Sequence, residues 1–202
     1  MKKVAYFAVV ALFATSVAMA GSWAESGDAI DLLPGQETVG TGSLDMITGS
    51  IGVPDVDLYH IKIVDYMNFS ASTVGLVSWD SRLFLFNSTG YGVVMDDDDA
   101  VSGTLQSKIT SAYIPGNGDY YLAIARYNSN ALDANGQEIW LSSPYTEKTP
   151  DGPGAANPLA SWSYTTNTAG DYSIALTGAA FGVPEPASLV LLAVAGLVLR
   201  RR

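Results

Sequence analysis

Cysteine is absent from this 202-residue chain, histidine occurs once, and lysine and arginine together number 10 against 20 aspartates and glutamates. Without cysteine there is no disulfide framework and no thiol nucleophile, so stability must come from a core, with bound metal as the remaining staple. A lone histidine, His60, removes most nucleophilic triads and every two-histidine metal site. No G-x-S-x-G elbow, H-E-x-x-H helix or Walker loop is present either. Half of the bases sit at the extreme ends, in Lys2, Lys3, Arg200, Arg201 and Arg202. The interior keeps only Lys62, Arg82, Lys108, Arg126 and Lys148 against 19 acids, a formal charge of −14. That balance repels nucleic acid and anionic membrane surfaces, and favours solubility and divalent cations.

The two ends have their own grammar. Lys2 and Lys3 precede an apolar stretch from Val4 to Ala14, and Ala18-Met19-Ala20 supplies a small-x-small site before Gly21, so residues 1–20 are expected to be a signal peptide removed by signal peptidase. At the other end Val183-Pro184-Glu185-Pro186 precedes an apolar run from Ala187 to Leu199 and then three arginines. The arginines favour the cytoplasmic side, and the two prolines stop a helix at the opposite boundary. Thirteen residues at ~1.5 Å each span roughly 20 Å, short of a ~30 Å hydrocarbon core, which suits a temporary anchor.

This order of parts, residues 183–202, resembles the PEP-CTERM sorting signal of bacterial surface proteins. The resemblance implies a short transmembrane helix and transient membrane anchoring. It also implies recognition of Pro184, Glu185, Pro186 and the basic end Arg200, Arg201 and Arg202 by an exosortase-type membrane protease. The expected route is export, an intermediate anchored in the inner membrane of a Gram-negative-type bacterium, and delivery to the cell surface or extracellular matrix.

Between the ends lie about 160 residues, enough for one domain that buries roughly 70% of its unfolded surface. Short alternating apolar runs separated by Gly, Asn, Asp and Pro predict an all-β, jelly-roll-like antiparallel β-sandwich over residues 21–182. In Asp57 to Val64, Tyr59, Ile61 and Ile63 share a face while His60 and Lys62 point to the other. Leu83-Phe84-Leu85-Phe86 is apolar on both faces and belongs at the centre of a sheet. Gly118-Asp119-Tyr120 and Gly170-Asp171-Tyr172 open two similar turn-plus-strand units, whose large residues are expected to line one core.

The succession of Asp55-Val56-Asp57-Leu58-Tyr59, Arg82 to Phe86, Asp96 to Asp99 and Gly118 to Ile124 resembles the bacterial pre-peptidase C-terminal type of domain. That resemblance, over roughly residues 28–128, implies a jelly-roll-like sandwich of the kind appended to secreted proteins, some of which bind calcium. Here no enzyme accompanies the domain. Four adjacent carboxylates at 96–99 repel one another unless solvent, bases or a hard cation compensate, and calcium accepts six to eight oxygen ligands with tolerant geometry. Carried over by position, Asp55, Asp57, Asp97 and Asp98 would be the calcium ligands, provided the sheet brings the two loops together. The alternative is a solvated acidic turn.

Residues 128–159 form the least regular stretch, with several turn signals around Ile139-Trp140-Leu141. Trp140 and Tyr145 there could stack on sugar rings, or Trp140 could simply cap the sandwich. The expected function is therefore a non-catalytic structural or interaction protein of the envelope or exopolysaccharide layer. A carbohydrate-binding module using residues 128–159 is the alternative. A secreted glycan hydrolase is a remote one, since two carboxylates at a suitable separation suffice for that chemistry.

Overall fold

Period-2 alternation is realised in fifteen strands among the residues described by the computed structural model, which are 21–164 and 170–185. In chain order these are β1 (Gly21–Ala24), β2 (Gln36–Glu37), β3 (Val39–Gly40), β4 (Leu44–Ser50), β5 (Val56–Ile63), β6 (Ser70–Ser72), β7 (Ser81–Asn87) and β8 (Gly92–Asp96). They continue with β9 (Lys108–Ile109), β10 (Gly118–Arg126), β11 (Asn130–Leu132), β12 (Ser161–Ser163), β13 (Asp171–Thr177), β14 (Ala179–Phe181) and β15 (Val183–Pro184). The helical elements among the described residues are two single 3-10 turns, Tyr66–Asn68 and Ser111–Tyr113. The described residues are thus all-β. No helix among the described residues is long and apolar enough to cross a membrane, and the expected signal peptide and the apolar run 187–199 lie outside them.

One sheet runs β1-β4-β13-β6-β9 and the other β14-β5-β10-β7-β8, with β2 taking the stretch of β5 that β14 leaves free. Their facing sides make the principal core. Leu44, Ile47, Tyr172, Ile174 and Leu176 come from the first sheet and Tyr59, Ile61, Leu83, Leu85, Tyr120, Leu122 and Ile124 from the second. The two Gly-Asp-Tyr strands β10 and β13 therefore sit in opposite sheets with their large residues in that shared core. At Gly178 the chain passes from β13 to β14, from one sheet to the other, with φ +68 and the backbone of Asp65 and Phe69 against it, a corner that a β-carbon would obstruct.

The sheets are mixed rather than purely antiparallel, because β1 runs parallel to β4, β2 to β5 and β15 to β3. The reason is a crossover: after β1 the chain visits the second sheet as β2 before returning as β4, so β1 and β4 share a direction.

The second sheet is apolar on both sides, and residues 130–162 cover its outer face. Val56, Leu58, Phe84, Phe86, Met95 and Ala123 meet Ile139, Trp140, Leu159 and Trp162 in a second apolar layer. Trp140 lies 5.6 Å from Phe84 and 5.5 Å from Phe86 between ring centroids, and Trp162 lies 5.2 Å from Phe84. Strand β11 pairs with β12, and the backbone bonds Ile139 N to Ala131 O and Ala160 N to Leu132 O tie the stretch to itself. Gly152 packs directly on the Glu138 carbonyl, where no β-carbon fits. Trp140 is only 2% exposed, so it caps neither open end of the sandwich; it fills the outer face. Trp140→Ala is expected to destabilise the domain by about 3–5 kcal/mol, the cost of a large aromatic cavity. Chemical denaturation checks this; a loss under 1 kcal/mol would mean that the layer is not packed as described.

Candidate functional site

Acidic side chains converge in two places among the described residues: Glu25, Asp28 and Asp57 in one, and Asp80, Asp97 and Asp98 in the other, each set with carboxylate oxygens within 4.8 Å of one another. The first group forms where β1 lies alongside β4. Glu25 follows β1 directly and is held in place by backbone, accepting from Ala29 N at 2.9 Å and from Ser50 N at 2.8 Å, with a lone pair left on each oxygen. Asp57 comes from β5 and faces the inter-sheet core, where its Oδ2 accepts from the Tyr172 hydroxyl at 2.6 Å. The Tyr59 hydroxyl meets that of Tyr172 in turn. Asp57 Oδ1 is buried without a partner.

Burial pushes the Asp57 carboxyl up to about 8; the Tyr172 bond opposes this, while the charges of Glu25, Asp55 and Asp28 add to it. Asp55 sits nearby but both its oxygens are used, by Gly52 N and Val56 N at 2.9 Å each. A cleft of about 420 Å³ beside the group is lined by Ala24, Glu25, Gly27, Thr48, Gly49, Ser50 and Asp171.

The second group forms on the other side of the second sheet. Residues 96–99, one charge run in sequence, are sent to four destinations. Asp96, level with Leu83 on β7, is buried and accepts from Lys108 N at 2.6 Å; burial first, then Glu147, Asp99 and Asp97, push it up to about 8 against the Lys108 bond. Asp97 is 0% exposed and pairs through Oδ2 with Arg82 Nη2 at 2.6 Å, while Arg82 Nη1 donates to Asn130 Oδ1 at 2.5 Å. Asp98 is half-buried beside Asp80. Asp99 closes a turn, accepting from Val101 N and Ser102 N at 3.2 Å. The Arg82 guanidinium stands 5.0 Å over the Tyr127 ring.

Asp80 is pushed up to about 6, mainly by burial, then by Asp97 and Asp98, with Arg126 and Arg82 in opposition. Asp80, Asp98, Leu105, Tyr127 and Tyr145 line a pocket of about 200 Å³.

The four aspartates expected as one calcium set are thus divided. Asp57 joins Glu25 and Asp28, Asp97 and Asp98 join Asp80, and Asp55 stands outside both groups. In register, Asp57 opposes Ile124, which opposes Leu83, which opposes Asp96, so three strand spacings of roughly 4.8 Å each separate the regions. Trp140 presents no open ring face, whereas Tyr145 is exposed at the second pocket. His60, expected toward solvent, is largely covered between Glu37 at 2.6 Å and Asp119 at 3.4 Å.

Glu25, Asp28 and Asp80 were not singled out by the sequence. Glu25 and Asp28 lie far along the chain from Asp57 and meet it only through the parallel β1–β4 pairing. Asp80, two residues before the buried Arg82, carries only a weak local signal. No protein-family model, curated protein or solved structure matches this chain.

Asp57 and Asp96 take up protons on folding, since their folded values near 8 exceed the ordinary 3.8. The stability they contribute is full below about pH 3.8 and is lost as pH rises through 8. In chelator, the melting temperature is therefore expected to fall between pH 5 and pH 9, and Asp57→Asn to flatten that fall. A melting temperature that stays level or rises over this window would contradict the assignment.

Proposed function

We propose that this is an exported, non-catalytic protein of the bacterial envelope or extracellular matrix, processed at its C-terminal end by an exosortase-type protease. The observation that carries the reading is where the first residues of the Pro-Glu-Pro motif sit in the fold. Strand β15 pairs Val183 with Val39 and Pro184 with Gly40, and Glu185 N donates to Gly40 O at 3.2 Å. The Pro-Glu-Pro motif therefore begins within the folded domain, with Pro184 in β15 and Glu185 bonded to Gly40. One residue, Pro186, separates Glu185 from the start of the apolar run at Ala187, two Cα steps that reach about 7 Å at most. A domain tethered so closely would stand on the bilayer by this end until the tail is cut.

The other end agrees. Gly21, the first residue after the expected signal-peptidase site, already belongs to β1 and packs against Ser43 and Phe181. Phe181 also packs on Gly40, the partner of Pro184, so Gly21 and the start of the Pro-Glu-Pro motif share one neighbourhood of the domain. Removal of a leader before Gly21 would free a terminus that is already built into the sheet.

In this reading the domain is a jelly-roll-like module of the pre-peptidase C-terminal kind, and calcium is held by Glu25, Asp28 and Asp57. The donor chemistry fits, with an all-oxygen set, a buried Asp57 oxygen lacking a partner, and an adjoining cleft with room for water ligands. Calcium would keep Asp57 ionised and replace the proton it otherwise carries. Outside the cell, millimolar calcium would then bind the folded domain and stabilise it. His60 lies between Glu37 and Asp119 with the Tyr121 ring 5.2 Å away, and this reading gives it no catalytic part. A sugar-binding role through Trp140 would require opening the outer layer.

Native mass spectrometry of the protein recovered from the host envelope and medium tests both parts at once. The expected species begins at Gly21, ends near Pro186 and carries calcium that a chelator removes. Chains that begin at Met1 or retain Arg202 would overturn the sorting reading, and a metal-free mass in millimolar calcium would overturn the cation reading.

A further inference from the structure

We infer that Asp80, Asp97 and Asp98 form a second, separate site for a calcium-sized divalent cation, opening into the pocket between Tyr127 and Tyr145. This inference is independent of how the chain is sorted and of the first acidic group.

The argument starts from atoms without partners. Asp97 is 0% exposed, and its Oδ2 is satisfied by Arg82, yet its Oδ1 has no partner. Asp80 Oδ1 is likewise sealed from solvent and unpartnered. A buried carboxylate oxygen left bare costs more than the bond it forgoes, so each such oxygen calls for a partner, either water or an ion. Two of them belong to carboxylates of one convergent set, completed by the half-buried Asp98.

The backbone holds the set rigidly. Asp97 N and Asp98 N both donate to Tyr145 O, at 3.2 and 2.8 Å, and Tyr127 N donates to Asp80 O at 3.0 Å. The two tyrosines that wall the pocket are thus bonded, through backbone, to the carboxylates inside it. Their ring centroids lie 6.2 Å apart.

Charge decides the kind of ligand. Three carboxylates face Arg82 and Arg126, which leaves one negative charge; Arg82 gives its two terminal nitrogens to Asn130 and Asp97, while its Nε and that of Arg126 stay buried without a partner. Asp80 and Asp98 line the pocket directly, and Asp97 offers the cation its second, unpartnered oxygen from behind them. The donors are all hard oxygens, which select calcium over a transition metal, and a pocket of about 200 Å³ leaves room for the waters that complete six to eight ligands. With two arginines close by, affinity falls in the weak range of extracellular calcium modules, about 10⁻⁴–10⁻³ M.

Terbium, a calcium-sized ion whose emission is excited through nearby aromatic rings, reads the site directly. The full chain purified in detergent carries Asp28→Asn to disable the first group, and terbium is titrated with calcium as competitor. Sensitised, calcium-displaceable emission is expected to persist in this variant, to weaken at least tenfold in affinity when Asp98→Asn is added, and to dim at unchanged affinity with Tyr145→Phe. Asp80→Asn serves as the second ligand variant, and an unchanged far-ultraviolet spectrum confirms the fold of each. No displaceable emission in Asp28→Asn, or equal affinity with and without Asp98→Asn, would overturn the site. Failure of the first group would instead show as a wild-type titration identical to that of Asp28→Asn.

Discussion

Strand β7 must be covered on both faces, and the rest of the fold follows from that. Leu83 and Leu85 point into the inter-sheet core while Phe84 and Phe86 point the other way, so a two-layer sandwich would leave two phenylalanines in water. The chain answers with a third layer. Residues 130–162 bring Ile139, Trp140, Leu159 and Trp162 onto those rings, in the edge-on and tilted arrangements that aromatic quadrupoles favour. The segment has little regular structure because its hydrogen bonds are made to its own turns and to loops such as that at Gly90, not to a ladder.

That cover also explains how so acidic a chain folds. Burying both sides of the second sheet carries Arg82 and Asp97 inside with the aromatics, and they are tolerable there only as a pair. On the inner face burial pushes the carboxyls of Asp57 and Asp96 up to about 8, so that each holds a proton more readily than a solvated acid does. The molecule therefore places its charge surplus at two rims where oxygens converge. In the proposed reading, calcium outside the cell completes both, taking the structural part that disulfides play in other exported domains.

Much of this was legible in the chain. Alternation in Tyr59, Ile61 and Ile63, and the matching units at Tyr120 and Tyr172, correspond to the core as built, because period-2 patterning is a local property. The two-faced run at 83–86 signalled a central strand and, read further, demanded an outer layer. What supplied that layer was not legible: Trp140 lies in a turn-rich stretch whose burial depends on distant phenylalanines. Nor was the division of the acids, since adjacency in sequence says nothing about which face each of Asp96 to Asp99 takes once a strand ends. The parallel β1–β4 pairing, which brings Glu25 to Asp57, arises from a crossover that no short window contains.

Hydrogen exchange of the native protein, followed by mass spectrometry over residues 130–162, addresses the third layer most directly. If this segment is part of the core, the amides of Ala131, Ile139, Leu159 and Ala160 exchange within about tenfold of those in β7 and β10, through the same global opening. Exchange of those amides within seconds, while β7 and β10 stay protected, would contradict the account and return the segment to a surface loop.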